Sequence, residues 1–507
     1  MSTTNEKIGQ LIYQIRQDRG LTQAAFAKQL GTSQSAVNRI EHGKQNLSLE
    51  TLGRISDVLN KPIIQIGEGG INLRVEGGHE LHGSITLKKS KNAAVALLCA
   101  SLLNHGITRI KSFPRIEEVN RIIEVLESIG VKVKWLPNND IEIRRPAKLD
   151  MEKMDAPAAR KTRSVLMLLG PLMHELTSFK IPYAGGCKLG TRTVEPHLLA
   201  LEQFGVGVIA RTGHYEVVVD KKKPVDHVVL YEAGNTVTNN ALMAAARTNG
   251  TTVIHGASAD YMVQDLCMFL KRLGVKISGI GSSVLTIEGT GPIKKNITFE
   301  PTEDPIEAMF FISAAITTNS HITIKRVPID WIALELFKLK VMGLNYKASK
   351  RYPAANDVTE LVDLEINKHN GNLVAPRDKL HPNLWPGINP DNIPYFVPIV
   401  AVAKGRTLIH DWIFENRAIY YTELTKIGAN IELADPHRIY VHGPTKFTKA
   451  DVVCPPALRP ASLLLIGMLA AEGTSILRNV YTINRGYEDL AERLNSLGAS
   501  ITVLHEI

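Results

Sequence analysis

At 507 residues the chain is too long for one hydrophobic core, so roughly two to four domains are expected. Apolar residues at 44% and charged residues at 21% fit a soluble globular protein, and 59 Lys and Arg against 50 Asp and Glu make it mildly basic, which suits an anionic ligand or nucleic acid and establishes neither. Four scattered cysteines without C-x-x-C spacing exclude a disulfide framework and a zinc knuckle, and no apolar run nears the roughly 18 residues of a spanning helix, so a cytoplasmic protein without membrane, metal or cofactor is expected.

The chain opens with short helices separated by turns. "IGQLIYQIRQDRG" has helical apolar spacing and closes on Gly20. "LTQAAFAKQLG" follows, with Thr22 as N-cap and Gly31 as the stop. "TSQSAVNRIEHGK" is a third helix entered through Thr32 or Ser33, and "SLETLGRISDVLN" a fourth. The pattern TQxxFAxxxGxSQxxVxxxExG resembles the helix-turn-helix of the phage-repressor type. That resemblance implies a helix lying in a major groove, with Gln34, Ser35, Asn38 and Arg39 facing base edges and Gln23 approaching a phosphate. One such module binds DNA weakly, so a dimer, and hence a homo-oligomer, is expected. A small helical bundle that binds protein is the alternative.

"GEGGIN", after Ile66, has turn composition and marks the end of a first domain at 1–66, with a linker at 67–70. Beyond it the chain repeats itself. Six times an amphipathic helix runs into a glycine and then a β-rich stretch: "ESIGVKVKW", "EQFGVGVIA", "KRLGVKISG", "VMGLNYKAS", "TKIGANIEL" and "NSLGASITV". Gly130, Gly205, Gly274, Gly343, Gly428 and Gly498 recur at roughly 70-residue intervals, too long a period for a solenoid. Six α/β units imply two lobes of three, with a cleft between them as a ligand site.

Several cations fall at helix starts, where free N–H groups and the helix dipole favour an anion. Lys91 and Asn92 open "KNAAVALLCASLL"; Arg160, Lys161 and Arg163 precede "SVLMLLGPL"; Arg417 and Arg459 stand in "FENRAIYYTEL" and "PALRPASLLLIG". Asp304 reads as an N-cap, Pro305 as the first helical residue and Glu307 as the partner in a capping box. Any one of these is unremarkable. Four cationic clusters at the mouths of repeat helices are harder to dismiss.

Together, "SKNAAVALL", "GGCKLGTR", "DPIEAMF", "PDNIPYF" with "FENR", "ALRPASLLL" and "NRGYEDL" resemble the enolpyruvyl transferase family over nearly all of the chain beyond the linker. The resemblance implies an inside-out α/β barrel of two three-repeat lobes, one built from 71–90 plus 293–507 and the other from 91–292. It also implies transfer of the enolpyruvyl group of phosphoenolpyruvate to a hydroxyl of a sugar nucleotide, UDP-N-acetylglucosamine, in peptidoglycan precursor synthesis. By the same resemblance Cys187, on a glycine-flanked loop, delivers a proton to C3 and can bond to C2, its thiol activated by Arg192. Asp304 takes the acceptor hydroxyl's proton. Lys91, Arg192 and Arg459 hold phosphoenolpyruvate or its phosphate, and Asn92, Arg163, Glu195 and Arg417 fill other site positions.

The departures from the family pattern sit together. Its SVGAT turn, preceded by a lysine, reads "EAGNT" here, with Glu232 where the cation stands. Its RPVDLH reads "RTVEPH", with Glu195 for the aspartate, and its REPE reads "ADYM" at 259–262. A carboxylate in place of a lysine beside a diphosphate is unfavourable, so the acceptor could be another nucleoside or sugar nucleotide. A third expectation is a DNA-binding regulator whose transferase-like region senses a cell-wall precursor.

Overall fold

The computed structural model describes residues 4–18, 21–45, 47, 51, 54–55, 58, 71–185, 193–220, 225–356 and 358–505. The chain divides into two compact units, Met1–Ile71 with His505–Ile507, and Asn72–Leu504.

In the first unit, helices span Thr4–Asp18, Gln23–Leu30 and Gln34–Glu41. Their ends are fixed by local chemistry. Thr22 Oγ1 accepts from Ala25 N at 3.1 Å, Gly31 closes the second helix at φ +66°, and Ser33, not Thr32, caps the third. Ile12, Ile15, Phe26, Leu30, Val37, Ile40 and Ile55 form the core. Beside it lies a buried ion pair, with Arg16 Nε 2.5 Å from Glu41 Oε1 and Nη2 3.0 Å from Oε2. Gly20 and most of the expected fourth helix lie outside the described residues; Thr51, Arg54, Ile55 and Val58 within it are helical.

The second unit contains six small sheets. Three belong to one lobe. Ile71–Gly77 pairs with Gly473–Arg478, His82–Thr86 with His321–Pro328, and Gly405–His410 with Arg438–Gly443. The other three are built on Thr108–Ile110, Ser178–Pro182 and Gly250–His255. The helices lie inside and the sheets outside. In the first lobe Pro305–Thr317, Ile393–Val402 and Leu458–Ala470 pack on one another, and apolar residues surround them on all sides. In the second, Lys91–Ala100 and Asn235–Ala245 do the same with the turns at 163–172.

The six repeat glycines all adopt positive φ, between +84° and +101°, where a Cβ would be strained. Each ends its helix and releases the chain into the next strand.

The lobes exchange chain at two adjacent segments. Ser90 N donates to Thr302 O and Asp304 N to Lys88 O, both at 2.9 Å. The expected boundary after residue 292 comes too early. Strand Ile297–Phe299 still pairs with Thr108–Ile110, so the chain leaves that lobe's sheet only after Phe299. At the crossing Glu303, fully buried, holds Lys89 Nζ at 2.7 Å and Arg326 Nε at 2.9 Å. Among the described residues no helix is long and apolar enough to cross a membrane.

Candidate active site

A cavity of about 500 Å³ is lined by residues of both lobes. Its cations stand at helix mouths. Ser90 caps the helix Lys91–Ala100, its Oγ accepting from Ala93 N at 3.2 Å, so Lys91 and Asn92 are left in the first turn with their side chains on the cavity. Arg459, second in its helix, donates to Tyr487 Oη at 3.0 Å and lies 3.3 Å from Asp391 Oδ2. Arg417 is clamped by Asp411, Nε to Oδ2 at 2.6 Å and Nη2 to Oδ1 at 2.8 Å, and its Nη1 lies 3.5 Å from Asp391 Oδ1. Arg163 also lines the cavity and donates to Thr193 O at 2.5 Å.

Two carboxylates balance these charges. Burial pushes Asp391 up, but Arg459, Arg417 and Lys91 outweigh it and hold the group below the usual carboxylate range. Burial likewise opposes ionisation of Glu118, and Lys91 and Arg485 bring it down to about 2. Arg485 Nη2 sits 3.0 Å from Glu118 Oε2, and Thr162 Oγ1 donates to Oε1 at 2.7 Å.

Asp304 is not among the residues lining this cavity. It is a buried N-cap. Oδ1 accepts from Ile306 N at 2.8 Å and Glu307 N at 3.3 Å, and Oδ2 from Lys91 N at 3.4 Å, so backbone donors occupy both oxygens. The expected capping box does not form, because Glu307 accepts instead from Lys88 N at 2.8 Å and from Arg493 Nη2 at 3.1 Å. Burial raises the Asp304 carboxyl and Arg459 opposes the rise, while a second carboxylate, Asp391 in "PDNIPYF", lies within 3.5 Å of both Arg417 and Arg459. The signal for Asp391 was an aspartate just ahead of a proline-bearing apolar helix, the same signal that drew attention to Asp304.

Glu195 is exposed at the start of helix Glu195–Glu202, next to Thr193, Pro196 and His197, which line the cavity. The helix turns position 197 inward. There the imidazole meets Asn240 Nδ2 at 3.0 Å and Thr236 Oγ1 at 3.2 Å. Cys187 and Arg192 lie outside the described residues. The other three cysteines, Cys99, Cys267 and Cys454, are buried free thiols, and burial pushes Cys267 and Cys454 up to about 12 and Cys99 further still.

The third wall carries the departures noted in the sequence. Glu232, Asn235, Asn239 and Asp260 all line the cavity. Asp260 is buried, and burial lifts its carboxyl to about 7, with nearby Asp391 adding to the rise. Asn235 Nδ2 at 3.4 Å and, from the other lobe, Asn389 Nδ2 at 3.3 Å reach its Oδ2. Sequence reasoning singled out neither Asp391, Glu118, Arg485, His197 nor Asn239.

In the first unit, Gln34, Ser35, Asn38 and Arg39 are all exposed on helix Gln34–Glu41. The Gln23 amide is half-buried and donates to Glu41 Oε2 at 2.7 Å, so its nitrogen is committed within the unit.

Residues 75–494 match the sequence model of the family described as EPSP synthase (3-phosphoshikimate 1-carboxyvinyltransferase). The chain belongs to this enolpyruvyl transferase family. Residues 12–66 match the helix-turn-helix family, so here a transferase carries an N-terminal helix-turn-helix domain. The UDP-N-acetylglucosamine 1-carboxyvinyltransferase of Treponema pallidum (strain Nichols) is 33% identical over 428 residues, covering 84% of this enolpyruvyl transferase and 98% of the relative. That of Bacteroides thetaiotaomicron is 33% identical over 439 residues, with the same coverage. Among solved structures, the enolpyruvyl transferase NikO from Streptomyces tendae superposes with a TM-score of 0.74 at 23% identity, over 87% of this chain and 100% of that one. An EPSP synthase from Acinetobacter baumannii gives 0.63 at 17% identity, over 86% and 100%. Both show the enolpyruvyl transferase fold.

Proposed function

We propose that the protein transfers the enolpyruvyl group of phosphoenolpyruvate to a hydroxyl of a uridine sugar nucleotide, UDP-N-acetylglucosamine being the first candidate, and releases phosphate. The observation that carries this reading is the meeting of Lys91, Arg417 and Arg459 around Asp391 at one cavity. Phosphoenolpyruvate bears about three negative charges, and several fixed guanidinium and ammonium groups suit its carboxylate and phosphate. The acceptor oxygen attacks C2 while C3 takes a proton. In the resulting tetrahedral intermediate phosphate leaves C2, C3 gives up a proton, and the double bond returns.

Asp391, kept ionised by its neighbours, accepts the hydroxyl proton as the new C–O bond forms. Asp304 keeps a positioning role, holding the N-terminus that carries Lys91. Cys187 delivers the proton to C3 and Arg192 assists with the phosphate, as the family resemblance implies. Asn92 and Arg163 contact the substrates. Purified protein given phosphoenolpyruvate and UDP-N-acetylglucosamine should release phosphate and yield the enolpyruvyl adduct by mass. Turnover that survives both Asp391→Asn and Cys187→Ala defeats these roles.

The exposed face of Gln34, Ser35, Asn38 and Arg39 supports a second activity, specific DNA binding, with two chains serving two half-sites. Duplexes selected from a random pool by the full-length protein should share a motif that Arg39→Ala no longer enriches.

A further inference from the structure

Asn239 and Asn240 are neighbours on helix Asn235–Ala245, and both are buried. Their side chains fare differently. Asn240 is fully engaged, donating from Nδ2 to Leu166 O at 2.8 Å and to His197 Nδ1 at 3.0 Å, and accepting from Gly170 N at 3.0 Å. Asn239, 1% exposed and one helical turn after Asn235, lines the cavity, yet neither its Oδ1 nor its Nδ2 has a hydrogen-bond partner among the described residues. Asp260 Oδ1, on the same cavity, has none either.

Burying unpaired polar atoms lowers stability unless something arriving in the cavity pairs them. Three atoms are at issue, one donor and two acceptors. A phosphate serves them poorly, since its oxygens match the Asn239 Nδ2 donor and leave both acceptor oxygens unpaired. A group presenting an acceptor and an N–H side by side matches the carboxamide of Asn239 atom for atom. The geometry points to Asn239 as the residue that reads an amide-type group on the acceptor substrate, with Asp260 accepting from a neighbouring O–H or N–H. The inference rests on the enolpyruvyl-transfer reading and narrows its acceptor. That group has two sources in a uridine sugar nucleotide, the imide edge of the base and the acetamido group of the sugar.

The test is Asn239→Leu, which keeps the branched shape without hydrogen bonds, measured by calorimetry with acceptor probes and phosphoenolpyruvate titrated separately so that no turnover contributes heat. UMP carries the imide alone, N-acetylglucosamine 1-phosphate the acetamide alone, and UDP-glucose against UDP-N-acetylglucosamine separates the two within whole acceptors. One of these amide sources should bind about tenfold more weakly or worse to the variant, while phosphoenolpyruvate binds both proteins alike and the melting temperature holds or rises. Should the leucine variant fail to fold, Asn239→Ser serves in its place. Equal affinity of wild type and variant for every probe overturns the assignment, even if wild type releases phosphate. Loss of UMP or acetamide binding in a protein that never turns over supports the assignment and defeats the reaction instead.

Discussion

Two groups of residues on the cavity are built on opposite principles. In one, Arg417, Arg459 and Arg485 each lie against a carboxylate, and Glu118 is drawn down to about 2. In the other, Asn239 and one oxygen of Asp260 are unpaired among the described residues, and Asp260 is lifted to about 7. The first group is preassembled, its dipoles and charges fixed before a polyanion arrives. The second is completed by its ligand. A site of this kind can keep one half-reaction while changing which molecule receives the group.

The largest way to break the contrast is at the junction. Asp391→Asn removes the carboxylate between two arginines, and phosphate release should fall about 10³-fold while phosphoenolpyruvate still binds. A variant within a few fold of wild type shows that another group takes the proton.

Glu118→Gln tests the preassembled group through stability. A carboxylate depressed from 4.5 to about 2 contributes stability that is fully present above about pH 4.5 and lost as pH falls through about 2. The variant should therefore unfold about 3 kcal/mol more easily in urea at neutral pH. The gap should close near pH 2.

Asp260→Asn has the opposite sign. An acid raised from 3.8 to about 7 binds more protons folded than unfolded between those values, so wild type loses stability as pH rises through that window. Asp391 faces the group, with Asn235, Asn389 and the Tyr261 and Met262 backbone around it. The variant should gain on the order of 2–4 kcal/mol at pH 8 and nothing at pH 4. Melting curves that stay parallel across this range contradict the contrast.

The smallest effect lies in the other unit. Asn38→Ala should lose about 1–3 kcal/mol of discrimination at one base position and leave the salt dependence of DNA binding unchanged. A steeper or shallower salt slope would mean a phosphate contact instead.

Much of the fold was legible because its signals are local. Thr22, Ser33 and Asp304 cap helices, and six glycines turn six helices into strands, each decided within a few residues. The site was legible as a set of stretches and less so residue by residue. Asp304 and Asp391 both precede apolar helices with proline in the first turn, and no local window shows that both approach Arg459. Glu307 abandons its local cap for Arg493, 186 residues away, a partner no sequence window contains. Glu195 and His197 stand two residues apart and face different ways. Consecutive asparagines inside an apolar helix, at 239 and 240, were a visible anomaly whose meaning depended on which one the lobe itself would bind.

The buried thiols have a practical consequence. Cys99, Cys267 and Cys454 are all shielded and hard to ionise, so electrophilic reagents at neutral pH find them inert in the folded protein. That leaves Cys187 as the thiol to which a single adduct on the intact chain would be assigned by mass spectrometry, and slower alkylation with phosphoenolpyruvate present is the result its proposed role calls for.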